Sequence, residues 1–115
     1  MKAVPTISTH ELQLGLDRDS GLHVLNVQTD RFFTGELIPG SRRIPLNSIE
    51  QGTKHLRKDT EIVTYCAGPG CSQSAEAAHT LRALGFVNVR AYKEGLEGWR
   101  AAGHGIVAPQ PVLAV

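Results

Sequence analysis

The chain has 115 residues, 41% of them apolar and 20% charged, with 12 basic against 11 acidic side chains and a formal net charge of +1. That length supports one domain over residues 1–115, and the composition is that of a folded globule rather than a disordered chain. The near-neutral balance argues against nucleic acid as a main partner, because phosphate binding draws on surplus Lys and Arg, and no run approaches the roughly 18 apolar residues of a membrane span.

Met1-Lys2-Ala3-Val4-Pro5 has no apolar run behind its lysine, so a cytoplasmic location is the expectation. Ser8 with Glu11 is a capping-box pattern, and Leu12 and Leu16 lie at helical spacing, predicting a short helix over 9–16. Leu22 to Val27, bounded by Gly21 and by Thr29-Asp30, reads as a buried strand, and Asp30 to Thr34 as one helical turn. Ile38-Pro39-Gly40-Ser41 is turn chemistry, Ile44-Pro45 closes a short extended run, and a helix over 46–56 is expected, weakened by Gly52.

Glu61-Ile62-Val63-Thr64-Tyr65-Cys66 is β-branched and aromatic and stops at a Gly-Pro-Gly turn. The best helix follows over 72–84, its apolar face built from Ala77, Ala78, Leu81 and Leu84, with Gly85 placed for a left-handed cap. Phe86 to Ala91 reads as a strand and Leu96 to Ala102 as a short helix carrying Trp99. Strands separated by helices predict an α/β fold, an open parallel sheet with helices on both faces.

Only two cysteines are present, Cys66 and Cys71, too few for a disulfide-stapled scaffold and spaced wrongly for zinc. They bound Cys66-Ala67-Gly68-Pro69-Gly70-Cys71-Ser72, which leaves a strand and enters a helix, the place where open α/β sheets hold ligands. The two glycines allow consecutive N–H groups to turn inward as a nest, and the helix start adds unpaired donors and the positive end of its dipole. Stabilisation of a thiolate there by about 1–2 kcal/mol would hold Cys66 below the ordinary thiol value, making it a nucleophile at neutral pH. The plainer alternative is a small buried side chain at a strand end.

Several segments together resemble the rhodanese family of sulfurtransferases, in its single-domain form. They are the Tyr65-Cys66 strand end, the six-residue loop Cys66 to Cys71 followed by Ser72, Leu84-Gly85-Phe86-Val87-Asn88-Val89, and the run Glu94-Gly95-Leu96-Glu97-Gly98-Trp99-Arg100-Ala101-Ala102-Gly103. Upstream, Ile38-Pro39-Gly40-Ser41 with Ile44-Pro45-Leu46 is similar to a second signature of that family. The resemblance implies a rhodanese-like sheet of about five strands. It implies that Cys66 takes sulfane sulfur from a thiosulfate-like anion as a persulfide and passes it to cyanide or a thiol. Ala67, Gly68, Pro69, Gly70, Cys71 and Ser72 would form the anion-binding loop, Pro69 having no N–H to donate. No cofactor or metal is implied, and the partners expected are that donor and acceptor, with the chain a monomer or homodimer.

Three departures stand out. Asn26-Val27-Gln28 replaces the usual Asp-Val-Arg, Glu36-Leu37 replaces Gly-His, and Cys71 occupies a loop position often held by arginine. Without that arginine a dianion loses a bidentate partner, which disfavours the related cysteine phosphatases and arsenate reductases. Arg42 or Arg43 are candidates to supply charge, though the sequence does not place them near Cys66. A curled loop would allow a Cys66–Cys71 disulfide that protects or releases the persulfide, with Cys71 as redox partner; otherwise Cys71 fills space at the helix start. The altered positions also keep open a non-catalytic binding or regulatory module on the same fold.

His10, His23, His55, His79 and His104 have no ligand or triad spacing and read as surface or loop residues. Trp99, Phe32, Phe33 and Phe86 read as core anchors. The stretch 106–115 is an apolar tail with two prolines, expected to lie along the domain or to pair with another subunit.

Overall fold

Ser8 Oγ accepts from the Glu11 N–H at 3.1 Å while the Glu11 carboxylate accepts from the Ser8 N–H, so the expected capping box opens helix α1 (Thr9–Asp17). This computed structural model describes residues 4–18 and 21–108. Strand β1 (His23–Asn26) follows, then the edge strand β2 (Arg42–Arg43), a 3-10 turn over Leu46–Ser48 and a single helical turn α2 (Ile49–Gly52). The chain continues through β3 (Glu61–Tyr65), α3 (Gln73–Ala83), β4 (Asn88–Tyr92) and α4 (Gly95–Ala101).

All pairings between these strands are parallel, in the order β2-β1-β3-β4. A fifth position is a single residue: Thr6 bridges Ala91 in parallel at the β4 edge. The expected sheet of about five strands is therefore four strands plus this bridge.

Side chains alternate across the sheet as the period of two requires. Leu25, Val27, Ile62, Val89 and Ala91 face Ile49, Ala77, Ala78, Leu81 and Phe86, whereas Val24, Val63, Tyr65 and Tyr92 face Leu12, Leu96 and Trp99. Helices α2 and α3 thus cover one face and α1 and α4 the other. Burial on both sides explains the adjacent apolar pairs Val24-Leu25 in β1 and Ile62-Val63 in β3, since a sheet wetted on one face would alternate polar and apolar.

The ends of the helices follow local chemistry. Gly85, at φ +103°, closes α3 in a Schellman motif, with Gly85 N–H donating to Arg82 and Phe86 N–H to Leu81. The second bond delays the next strand, which starts at Asn88 rather than at Phe86. Gly40, at φ +87°, follows Pro39 in a type II turn closed by Ser41 N–H to the Ile38 carbonyl.

The helix expected over 46–56 is only partly formed. A Cβ on Gly52 would collide with Ile44, and the Thr53 hydroxyl donates to the Ile49 carbonyl at 2.7 Å, so close packing on the residue after β2 is followed by tight turns. Of the apolar tail, only 106–108 lie among the described residues, where Val107 and Leu37 exchange two backbone hydrogen bonds. The remainder of the expectation for 106–115 lies outside them.

Candidate functional site

Strand order alone creates a crevice. From β1 the chain crosses to β2 on one side, and β3 then inserts on the other, so the connections diverge between β1 and β3, the switch point where open parallel sheets bind ligands. Asn26, Tyr65 and Tyr92 stand in register across the strand ends. The first residues beyond that line are Val27 and Gln28 from β1 and Cys66 from β3, the two interior strands.

The loop leaving β3 is held from three directions. Cys71 N–H donates to the Gly68 carbonyl at 3.0 Å, closing a four-residue turn with Pro69 second, where its fixed φ fits. Leu96 N–H donates to Cys66 and Glu97 N–H to Ala67, at 3.0 and 2.8 Å, so the first turn of α4 grips the start of the loop. Thr64 Oγ1 donates to the buried Ser74 carbonyl at 2.7 Å, pinning the first turn of α3 over β3.

Glycine serves here in a way the sequence does not reveal. Neither Gly68 nor Gly70 has a positive φ, so the nest does not depend on left-handed loop glycines. The left-handed residue is Gly95, at φ +62°, and a Cβ there would lie 2.5 Å from the Cys66 carbonyl oxygen and 2.7 Å from the Gly68 nitrogen. Gly95 is the close approach that lets α4 seat against the loop.

Of the seven residues read as the site, Cys66 is buried, 1% exposed, and Ala67, Gly70, Cys71 and Ser72 line a cleft of about 370 Å³ together with Gln28, Phe32, Gln73 and Glu76. Gly68 is buried behind them, against the side chain of Glu97, and Pro69 is exposed at the tip. Cys66 and Cys71 are joined by a disulfide, their Cα atoms 6.4 Å apart, within the usual range for such a bond. Cys71 is the half of the pair that lines the cleft.

Among the described residues nothing accepts from the N–H groups of Ala67, Gly68, Gly70 or Ser72, nor from those of Gln73, Ser74 and Ala75 in the first turn of α3. Of these, Ala67, Gly70, Ser72 and Gln73 line the cleft, where the N-terminal end of α3 presents the positive end of its dipole. The one charged side chain lining the cleft is the acid Glu76. Cys71 N–H, spent on the turn, drops out of the expected cradle.

Arg42 and Arg43 do not line the cleft. Arg43 is committed to Asp30 at 2.7 Å and to the Gln28 carbonyl at 3.0 Å, and its guanidinium lies over Phe33. The histidines stay outside the cleft, and among the described residues no group of three or more His, Cys, Asp or Glu could hold a metal ion. No helix among those residues is long and apolar enough to cross a membrane.

The departure at Asn26-Val27-Gln28 forms one buried unit. Asn26 Nδ2 donates to Gln28 Oε1 at 3.0 Å, Gln28 N–H donates to Asn26 Oδ1 at 2.9 Å, and Gln28 Nε2 donates to the Phe32 carbonyl. Two neutral amides thus satisfy each other, and Gln28 also walls the cleft. Phe32 is not a core anchor: it is 55% exposed at the rim, because the turn at 29–33 points it outward. Trp99 and Phe86 are buried.

Gln73 exchanges hydrogen bonds with Thr29, tying α3 to the chain leaving β1. Gln73 and Glu76 sit three apart on the first turn of α3, a spacing from which a shared cleft-facing position could have been read. Beneath the cleft, Tyr65 Oη accepts from Ile38 N–H at 3.0 Å and pairs with Ser41 Oγ at 2.7 Å. Burial raises the Tyr65 phenol above the ordinary tyrosine value, and it does the same for Tyr92, whose hydroxyl pairs with Thr9.

Comparison with known proteins agrees with this architecture. The BH2092 protein of Bacillus halodurans is 30% identical, with a TM-score of 0.82, over 91% of this chain and 77% of that one. The rhodanese-like domain of the Anabaena sp. Alr3790 protein is 26% identical with a TM-score of 0.77, covering 100% of this chain and 89% of that domain. A thiosulfate sulfurtransferase of Pseudomonas aeruginosa shares the fold at 23% identity and a TM-score of 0.77, over 93% of this chain but 21% of that protein. No curated protein matches. The model of the rhodanese-like domain matches residues 8–102, and with the parallel sheet and the loop at its switch point this places the chain in the rhodanese-like domain family.

Proposed function

We propose that the chain is a sulfurtransferase that carries sulfane sulfur on Cys66. The observation that carries this reading is the position of Cys66 at the end of an interior strand, beside a cleft lined by loop residues whose N–H groups have no acceptor among the described residues. In the reduced protein the Cys66 thiolate attacks the outer sulfur of thiosulfate. The bond from that sulfur to the sulfonate breaks, sulfite leaves with the electron pair, and Cys66 persulfide remains.

Thiosulfate and the persulfide are both anions, so one set of N–H donors stabilises the chain of states in turn. Backbone donors without arginine suit a small sulfur anion better than a phosphate ester. The outer sulfur then passes to cyanide or a thiol. The test is incubation of the reduced chain with thiosulfate followed by cyanide. In a Cys71→Ser chain thiocyanate should form with turnover and intact mass before cyanide should show one added sulfur, and adding Cys66→Ser should lose both.

A second reading, a regulatory module that does not turn over, is favoured by the disulfide capping Cys66 and by the neutral Asn26–Gln28 pair. Absence of persulfide on the fully reduced Cys71→Ser chain with several donors would select it.

A further inference from the structure

Resting on the reading of Cys66 as the sulfur carrier, we propose that Cys71 is a resolving thiol that discharges the persulfide inside the chain, releasing hydrosulfide and leaving the Cys66–Cys71 disulfide. The structure then represents the oxidised half of a second activity, reductive release of sulfide from a sulfane donor.

The loop selects the atom attacked. The turn closed by Cys71 N–H and the Gly68 carbonyl, with the α4 grip on Cys66 and Ala67, brings the two sulfurs together in a bond. The atom that the bond shows Cys71 to reach is Cys66 Sγ, the inner sulfur of a persulfide. The Cys71 thiol gives its proton to the outer sulfur of the persulfide anion as its own sulfur attacks Sγ, so the Sγ–Sγ bond forms, the bond to the outer sulfur breaks, and that sulfur leaves as hydrosulfide with the electron pair. The two cysteine sulfurs are together oxidised by two electrons and the sulfane sulfur is reduced by two. Hydrogen sulfide is a stronger acid than an alkyl thiol, so hydrosulfide is also the better leaving group.

Access favours the internal thiol over an external one. Cys66 is almost fully buried and Cys71 lines the cleft, so an incoming thiol meets Cys71 first, while Cys71 itself is held at high effective concentration. Recovery needs a dithiol reductant. One of its thiolates attacks the accessible Cys71 sulfur and expels Cys66 thiolate; its second thiol resolves the mixed disulfide, returning both cysteines reduced and the reductant as a disulfide. Gly70, which a Cβ would not crowd, and the exposed Pro69 leave the tip of the loop open to such a partner.

The experiment is a single turnover under anaerobic conditions. The chain is reduced, freed of reductant and given thiosulfate with no acceptor, and sulfite, sulfide and intact mass are followed. One sulfite and one sulfide per chain are expected, with the protein ending two hydrogens lighter than its reduced form and blocked to alkylation. Adding a dithiol should convert this to multiple turnovers. Cys71→Ser and Cys71→Ala should still release sulfite but retain the added sulfur on Cys66, with sulfide falling to background.

A stable persulfide on the unmodified chain with Cys71 still alkylatable would overturn the inference alone. So would sulfide release from Cys71→Ser at the unmodified rate, or disulfide formed without matching sulfide. Failure of both Cys71 variants to take up sulfur or release sulfite would overturn the sulfur-carrier reading beneath it as well.

Discussion

Replacing Gly95 with alanine tests whether the approach of α4 shapes the loop around Cys66. The added Cβ would lie 2.5 Å from the Cys66 carbonyl oxygen, 2.7 Å from the Gly68 nitrogen and 2.8 Å from the Ala67 carbonyl carbon, all backbone atoms that cannot swing aside. The left-handed backbone costs alanine about 1–2 kcal/mol, and overpacking against main chain adds about 1–3 kcal/mol. The bonds from Leu96 and Glu97 to the loop carbonyls are worth about 1 kcal/mol each where they stretch. A loss of about 3–5 kcal/mol follows, a large share of the stability of a domain this size. In urea it lowers the midpoint by about 2–3 M.

Two neighbouring glycines are the controls. Gly70→Ala meets nothing within 4 Å and needs no left-handed backbone, so it should be neutral or stabilising by up to about 1 kcal/mol. Gly68→Ala meets the end of the exposed Glu97 side chain, which can swing away, and should cost less than about 1 kcal/mol. Gly95→Ala within about 1 kcal/mol of the parent, or Gly70→Ala as damaging as Gly95→Ala, would refute the reasoning.

Other expectations concern the scaffold. Asn26→Asp or Gln28→Arg alone buries an unpaired charge and should cost about 3–5 kcal/mol, while the double variant should recover at least about 2 kcal/mol in a urea double-mutant cycle; additive losses would count against the paired reading. Tyr65→Phe leaves Ile38 N–H without its acceptor and should destabilise by about 1–3 kcal/mol in urea titration. Because burial raises Tyr65 and Tyr92, stability contributed by the neutral phenols is intact below the ordinary value of 10.0 and is lost as pH rises from there through the folded-state values. The loss has a slope of up to about 1.4 kcal/mol per pH unit for each tyrosine, so Tyr65→Phe should flatten the alkaline limb of a stability profile. Ser8→Ala removes one half of the capping box and should lower the urea-derived stability by about 1 kcal/mol.

What could be read before folding was local. The capping box at Ser8, the apolar pairs of β1 and β3, the Pro39-Gly40 turn and the Gly85 cap depend on neighbours a few positions apart, so their periods and turn residues announce them. The helix expected over 46–56 stops short because Gly52 answers to Ile44 across a turn, and Phe32 lies at the surface because its turn, not its aromatic ring, sets its direction. The sequence by itself determined the order of elements, the α/β class and the place of Cys66 at a strand end entering a helix. Only the tertiary structure decided that Gln28 walls the same cleft, that Gly95 rather than a loop glycine makes the critical approach, that Arg43 is spent on Asp30, and that Cys71 bonds to Cys66. Those outcomes depend on β3 inserting beside β1 and on α4 docking across the loop, and contacts between distant segments leave no period in the chain to read.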